Sequence, residues 1–314
     1  MSAWPPAALV LTAGLGTRLR PLTDLRAKPV MPVGDDTLVG IILRRLAAQG
    51  IAEAVLNLHH LPHTITREVG DGSQYGVRVR YSWEQPVVLG SAGGPRHALP
   101  LVDGDTLLIV NGDTLCDIPL RALWDEHVAS GALVTMGLMP HPAPGRYGGV
   151  TMDVPVPAPG LATPAEACPV LAAGVVTGFV PRTSIVPSVH FPGVQLVRRE
   201  VLAGLPDNAP AESVGGVYPR LIASHPGAVR GVVFGARFDD VGTVDDYRRT
   251  CRAQAVDARG NVIDRTALVD PTARLRDCIV WPGAQVPAGC ALHNVIVTGA
   301  RPLPAGAALQ DSIA

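Results

Sequence analysis

The first sixty residues constrain this chain most. An apolar run from Ala7 to Val10 enters the segment TAGLGTRLR, as a buried strand passing into a glycine loop does. A helix follows through LVGIILRRLAAQG, with Asp36 as its expected cap, Leu38, Ile41, Ile42 and Leu46 on its apolar side, and Gly50 closing it. A second strand, AEAVLNL, occupies residues 52–58. Strand, helix, strand at this spacing is a parallel crossover, and parallel sheets are covered on both faces. Further strands are predicted over 77–82 and 106–113, with helices from near Gly94 and across IPLRALWDEHVASG. The fold class is α/β, a doubly wound, mostly parallel, Rossmann-like sheet. The later runs ALVTMGLM, GGVTMD, VVTGFV, HFPGVQLV and VRGVVFGARF are short and β-rich, and add strands that build a ligand pocket on that sheet.

With 314 residues, 47% apolar and 17% charged, the chain can bury one large core and carry a small appendage. Its 26 basic and 27 acidic residues give a formal charge of -1, so it offers no broad footprint for nucleic acid or a membrane surface. Any anionic ligand must be held locally. No window reaches the roughly 18 uninterrupted apolar residues of a spanning helix, and no basic stretch precedes the first apolar run, so a cytoplasmic protein is expected. Cysteines 116, 168, 251, 278 and 290 form no C-x-x-C pair and are expected to be buried free thiols. One oddity carries more information: Lys28 is the single lysine, every other basic residue being arginine. Arginine supplies surface charge well but does not replace a compact ammonium where a point charge is needed, which marks Lys28 as a functional candidate.

From about residue 261 the chain reads NVIDRT, ALVDPT, ARLRDC, IVWPGA, QVPAGC, ALHNVI, a six-residue rhythm with Leu268, Val280, Val286 and Leu292 on one phase. Thr272, Ala284, Cys290 and Ile296 stand four residues after each, and Arg274 interrupts the aliphatic phase. Such repeats predict a short C-terminal left-handed parallel β-helix of hexapeptide repeats, too short to stand alone or to serve as an acyltransferase. The expected division is residues 1–255 and 256–314, with the repeats packing on the main domain or on another subunit of a homo-oligomer.

The segment LTAGLGTRLRPLTDLRAKPVMPV, residues 11–33, joins three elements that phosphate chemistry requires: a Gly14-to-Gly16 loop, Arg18 and Lys28. A dinucleotide fingerprint would need another glycine where Leu19 stands, and an acidic residue where the second strand ends in NLHH. Gly14, Gly16, Thr17, Arg18, Leu19, Pro21, Leu22 and Thr23, followed by Lys28, Pro29, Pro32 and Val33, resemble the opening of the sugar nucleotidyltransferases, or nucleotide-sugar pyrophosphorylases. The pattern is closest to that of mannose-1-phosphate guanylyltransferases. The resemblance implies that Ala13, Gly14, Leu15, Gly16, Thr17 and Arg18 wrap a nucleoside triphosphate, and that Lys28 bridges its α-phosphate and a sugar 1-phosphate. It also implies that Gly90, Ser91, Gly93 and Gly94 of VVLGSAGGPRHAL cup the base.

VNGDT puts Asp113 at the carboxyl end of a predicted strand, where open α/β sheets bind ligands. By the same resemblance Asp113 and, in FDDVGTVDDY, Asp240 hold Mg²⁺, while Asn111, Gly148, Arg182 and Gln195 meet the sugar phosphate. The chain departs from the common G-F-V-E-K-P element, reading Gly178-Phe179-Val180-Pro181-Arg182-Thr183. Arg182 keeps the positive charge, but Pro181 has no side-chain group for a sugar hydroxyl. A sugar 1-phosphate is already largely dianionic at neutral pH, so no general base is required, and the histidines at 59, 60, 63 and 97 are expected in loops and helix caps. Within the class, uridylyltransferases for N-acetylmuramate or glucose 1-phosphate and guanylyltransferases for heptose 1-phosphate share the opening. Outside it stands a catalytically silent sugar-nucleotide-binding regulatory subunit.

Overall fold

The AALVL run forms β1, Ala7–Leu11, inside a nine-stranded sheet. A computed structural model describes residues 4–158, 168–254 and 257–314 of the chain, so the expected boundary at 255/256 lies outside the described residues. After β1 the strands are β2 (Glu53–Leu58), β3 (Arg78–Trp83), β4 (Thr106–Asn111), β5 (Val134–Pro140), β6 (Gly149–Met152), β7 (Val170–Val180), β8 (Val189–Arg198) and β9 (Val229–Phe234). Their order is β3-β2-β1-β4-β8-β5-β9-β7-β6. β3, β2, β1 and β4 run parallel, with Leu58 opposite Trp83, Val10 opposite Leu56 and Leu11 opposite Asn111. β9 joins β5 in parallel, whereas β8, β7 and β6 enter antiparallel. Leu9, Val55, Leu107, Ile109, Met136, Leu138 and Val233 are among the side chains that fill the core against the sheet.

Helix α1, Leu38–Ala48, begins as expected, but its cap is Thr37 rather than Asp36: the Thr37 hydroxyl accepts the Gly40 N–H at 3.2 Å. Asp36 instead accepts the N–H of Thr37 at 2.8 Å, which fixes the turn one residue earlier. The helix expected near Gly94 starts at Gly90 as α2, Gly90–Ala98, and α3 follows at Leu120–Ser130. Among the described residues, no helix is long and apolar enough to cross a membrane. All five cysteines are free; Cys251, Cys278 and Cys290 are buried, and Cys116 and Cys168 are half-buried.

By contacts the chain separates into two compact units. The first comprises residues 1–14 and 42–238 and holds the whole large sheet; the second comprises residues 15–41 and 239–314. In the second, α4 (Val244–Gln254) is followed by short strands forming three small parallel sheets. Partners in these sheets are 17 residues apart: Val262 with Ile279, Leu268 with Gln285, Arg274 with Ala291, and Ile279 with Ile296. The six-residue rhythm, which would put partners 18 residues apart, therefore loses one residue between paired strands. Gly260, Asp277, Asn294 and Asp311 mark the place, all with positive φ, a conformation that glycine, Asn and Asp adopt at least cost. The slip corrects the expected phase. Leu275, not Arg274, points inward with Val280, Val286 and Leu292, and Leu268 is 64% exposed.

Leu275→Ala should accordingly cost about 2–4 kcal/mol of stability through the cavity it leaves, while Leu268→Ala should stay within about 0.5 kcal/mol. Urea denaturation of both variants checks this; equal losses would contradict the slipped phase.

Candidate active site

At the carboxyl ends of the parallel strands, buried polar groups form a continuous chain of hydrogen bonds. The Thr12 N–H donates to the Asn57 side-chain oxygen at 2.6 Å, and the Thr12 hydroxyl donates to the Asn57 carbonyl. Asn57 donates its amide N–H to Glu84 Oε1 at 2.7 Å, and Glu84 Oε2 accepts the Leu89 N–H at 2.7 Å. Glu84 is fully buried, and Leu89 is the N-cap of α2. A carboxylate removed from water requires such donors, and the positive end of the helix stabilises it further. Sequence reasoning missed Glu84 and Asn57. The available signal was one acidic residue directly after a β-rich run and before a Pro-containing loop, a pattern that surface turns share.

The residues expected to cup a base lie on α2. Gly90 has φ +77°, and a Cβ there would sit 2.5 Å from Glu212 Oε1. Ser91 donates its hydroxyl to Glu212 and accepts the Ser213 N–H at 2.9 Å. Gly93 and Gly94 are buried; a Cβ would overlap the Ala209 carbonyl at the first and Glu84 at the second, so both glycines admit close packing. Ala13 is buried and Gly14 is exposed with open space beside it. On β4, Asn111 is half-buried, and Gly193 (φ +93°) makes room for its side chain, which any Cβ there would strike. Asp113 accepts the Thr114 hydroxyl at 3.2 Å. Gln195 is 2% exposed, with its amide oxygen held by the Tyr218 hydroxyl at 2.7 Å, so its side chain lies in the interior.

Gly148 precedes β6 in a turn packed on two histidines. His141 Nε2 donates to the Gly148 carbonyl at 3.3 Å, His190 stacks against Tyr147 with ring centroids 4.7 Å apart, and Phe238 closes the cluster. His190 is 7% exposed. Burial, and then the neighbouring His141, push its pKa down to about 4 against the weaker pull of the Gly148 carbonyl. Burial likewise lowers His141, and it takes His127 on α3 down to about 4. Arg182 is exposed in a turn closed by the Ser184 N–H on the Pro181 carbonyl.

The second unit carries the remaining predicted residues, Leu15, Gly16, Thr17, Arg18, Lys28 and Asp240. Gly16 (φ +61°) turns over Thr23 and Lys28; a Cβ would lie 2.8 Å from the Thr23 methyl, and the Thr23 hydroxyl donates to the Gly16 carbonyl at 2.9 Å. Leu15, Thr17 and Arg18 are exposed, whereas Lys28 is 7% exposed. Three charged groups crowd Gly242: a Cβ there would stand 2.9 Å from Asp240 Oδ2, 3.3 Å from Asp246 Oδ2 and 3.5 Å from Arg18 Nη1. Thr243 and Asp246 then form a reciprocal cap at the start of α4. In the second unit the structure thus brings Arg18 and Asp240 together.

Among the described residues no three His, Cys, Asp or Glu side chains cluster as a transition-metal site would require. Asp113, half-buried in the turn after β4, and Asp240, half-buried in the short strand Phe238–Asp240, are each single carboxylates of the kind that suits a hard divalent ion, which takes its other oxygens from phosphate and water. Residues 7–255 match the sequence model described as nucleotidyl transferase. The chain belongs to the nucleotidyl transferase family. It is an enzyme of the nucleotidyltransferase type, a family in which a divalent metal is general. Over 316 aligned residues this nucleotidyltransferase is 27% identical to the mannose-1-phosphate guanylyltransferase of Mycobacterium tuberculosis, covering 91% of this chain and 83% of the relative. It is 43% identical over 129 residues to the N-acetylmuramate alpha-1-phosphate uridylyltransferase of Neisseria meningitidis, covering 39% and 56%. With the UTP–glucose-1-phosphate uridylyltransferase of Synechocystis it shares 27% identity over 266 residues, covering 78% and 62%. Among solved structures HddC from Yersinia pseudotuberculosis matches with a TM-score of 0.64 at 17% identity, over 80% of this chain and 100% of that one, which shows a shared fold.

The buried imidazoles give the nucleotidyltransferase an acid limit with a definite sign. His190 stays neutral in the native state, while in the unfolded chain it ionises near its ordinary pKa of about 6.5. Its contribution is thus present above pH 6.5 and falls as the pH drops towards 4, by about 1.4 kcal/mol at pH 5.5. Chemical denaturation at pH 7.5 and 5.5 should show this loss for the parent and a smaller one for His190→Phe; the same slope in both would contradict a neutral, buried His190.

Proposed function

We propose that this nucleotidyltransferase transfers a nucleotidyl group from a nucleoside triphosphate to a sugar 1-phosphate and releases pyrophosphate, with GTP and mannose 1-phosphate as the substrate pair. The observation that carries the reading is the meeting of Arg18 and Asp240 at Gly242 in the unit that also holds the chain's single lysine. A cation for phosphate and a carboxylate for metal are the two charges such a transfer needs. The mannose-1-phosphate guanylyltransferase relative supports the pair through its 91% coverage of this chain. N-acetylmuramate 1-phosphate with UTP is the second reading, favoured by the 43% identity of the shorter match.

In this reading Ala13, Gly14, Leu15, Gly16, Thr17 and Arg18 bind the triphosphate, Gly90 and Ser91 meet the base, and Gly93 and Gly94 let α2 pack closely beneath them. Lys28 holds the α-phosphate and the sugar phosphate; Asn111, Gly148, Arg182 and Gln195 serve the sugar-phosphate side. Asp113 and Asp240 are the metal carboxylates, and Mg²⁺ bound there supplies charge neutralisation on the phosphates. The sugar phosphate oxygen forms a bond to the α-phosphorus as the bond to pyrophosphate breaks, and no proton has to be removed first. What the side chains contribute is alignment and charge stabilisation. Residues 1–255 carry this chemistry. We further infer that residues 256–314 form a left-handed parallel β-helix that joins subunits of a homo-oligomer, and that the enzyme works in the cytoplasm.

Lys28→Ala and Asp113→Ala should each lower kcat on the order of a hundred- to a thousandfold, as loss of one preorganised charge does, with unchanged circular dichroism. Lys28→Arg should fail to restore the rate, because a planar fork does not replace a point charge. Pyrophosphate-release assays decide it, and near-parental rates in either alanine variant would refute the assignment.

A further inference from the structure

The stretch that begins at the single lysine is tied to the C-terminal strands through one hydroxyl. Tyr247 on α4 donates its O–H to the Pro32 carbonyl at 2.6 Å, and the Cys251 thiol donates to the same oxygen at 3.5 Å. The Tyr247 oxygen in turn accepts the Trp281 indole N–H at 2.8 Å. Tyr247 is 0% exposed and Trp281 1%. Burial holds the Tyr247 phenol well above its ordinary pKa, so it remains a neutral donor. The Arg26 guanidinium lies over the Trp281 ring, 5.6 Å from its centroid, a second link from the lysine's neighbourhood to the same side chain.

Packing alone would be served as well by phenylalanine at 247. The hydroxyl adds a bond in each direction, and in a water-free setting such paired bonds reinforce one another. The other end of the tie is also anchored: on α4, Arg248 and Arg252 donate to Asn294 Oδ1 at 2.9 and 3.2 Å, and Arg252 reaches the Asp277 carbonyl at 3.1 Å. Asn294 and Asp277 are the positive-φ residues that recur at 17-residue intervals through the C-terminal strands. Helix α4 is thus fixed on the repeats by its arginines and holds the Pro32 carbonyl by its tyrosine, within one compact unit.

We propose that Tyr247 and Trp281 are positioning residues for Lys28, through which the C-terminal strands set where the ammonium meets the phosphates; the inference rests on the phosphate role assigned to Lys28. Misplacement of a reacting group by about an ångström can cost on the order of a hundredfold, so relaxing one of several restraints should cost less. The C-terminal strands are then a working part of the transferase.

The test uses the full chain and the fact that its only side-chain amine is Lys28. Acetic anhydride labelling, read by mass spectrometry at the Lys28 peptide against the N-terminal amine, reports the setting of that ammonium directly. In the unaltered chain, GTP with Mg²⁺ should protect Lys28; absence of protection by any of the common nucleoside triphosphates would overturn the phosphate role and the inference with it. Tyr247→Phe and Trp281→Phe should lower kcat about tenfold, equivalent to about 1.4 kcal/mol of lost transition-state alignment, with KM for nucleotide little changed and Lys28 labelled severalfold faster. Protection in the parent combined with parental kcat and labelling in both variants would overturn the positioning role alone. Leu275→Ala, in the same strands but outside the tie, should lose stability while keeping parental labelling and kcat. The tyrosine variant's signature in Leu275→Ala would mean general loosening and would equally defeat the proposal.

Discussion

Parallel pairing of β3, β2, β1 and β4 is the constraint on which the large unit depends. Parallel strands end on the same edge, so Thr12, Asn57, Glu84 and Gly112 are delivered to one side of the sheet by strands in register. Backbone groups there have left the ladder and still need partners. Three of these residues supply them through side chains, and the fourth by its own approach: the Gly112 N–H donates to the Leu11 carbonyl at 3.0 Å, and a Cβ at 112 would sit 2.5 Å from that oxygen. The chain from Thr12 to Leu89 consequently fixes the start of α2 relative to the end of β1.

The smaller unit solves a different problem, holding a lysine still in a stretch with little regular structure of its own. Short 3-10 turns at Thr17–Leu19 and Lys28–Val30 cannot supply much cooperativity. Their order comes from Leu19, Leu22 and Thr23 beneath them, and from Tyr247 acting on Pro32. The run from Asp240 to Thr243 has a local reason for several of its parts. Gly242 permits Asp240 and Asp246 to approach, and Thr243 caps α4.

Much of this was legible in the sequence because it rests on residue types with few substitutes. Lys28 stands out as the chain's only ammonium side chain, and the strand-loop-helix-strand opening admits few folds. Glu84 was not legible, since its identity as a buried anchor depends on Asn57, which lies 27 residues away on the neighbouring strand. The cap at Thr37 was masked by an equally good capping residue just before it. The repeat phase was misread because Leu268 fits a six-residue rhythm in composition, while strand pairing follows positive-φ positions at 17-residue intervals that show in the sequence only as Gly, Asp, Asn and Asp. Gln195 could be assigned to the interior only once Tyr218 was known to reach it.

The most direct test of the account is Mg²⁺-dependent pyrophosphate release across GTP, UTP, dTTP, ATP and CTP, each combined with mannose, glucose, N-acetylmuramate and heptose 1-phosphates. The account predicts one clearly productive pair, GTP with mannose 1-phosphate, with release that requires the sugar phosphate and stops when the metal is chelated. Silence across the whole matrix while nucleotide still binds would contradict it and would make the chain a sugar-nucleotide-binding regulatory subunit.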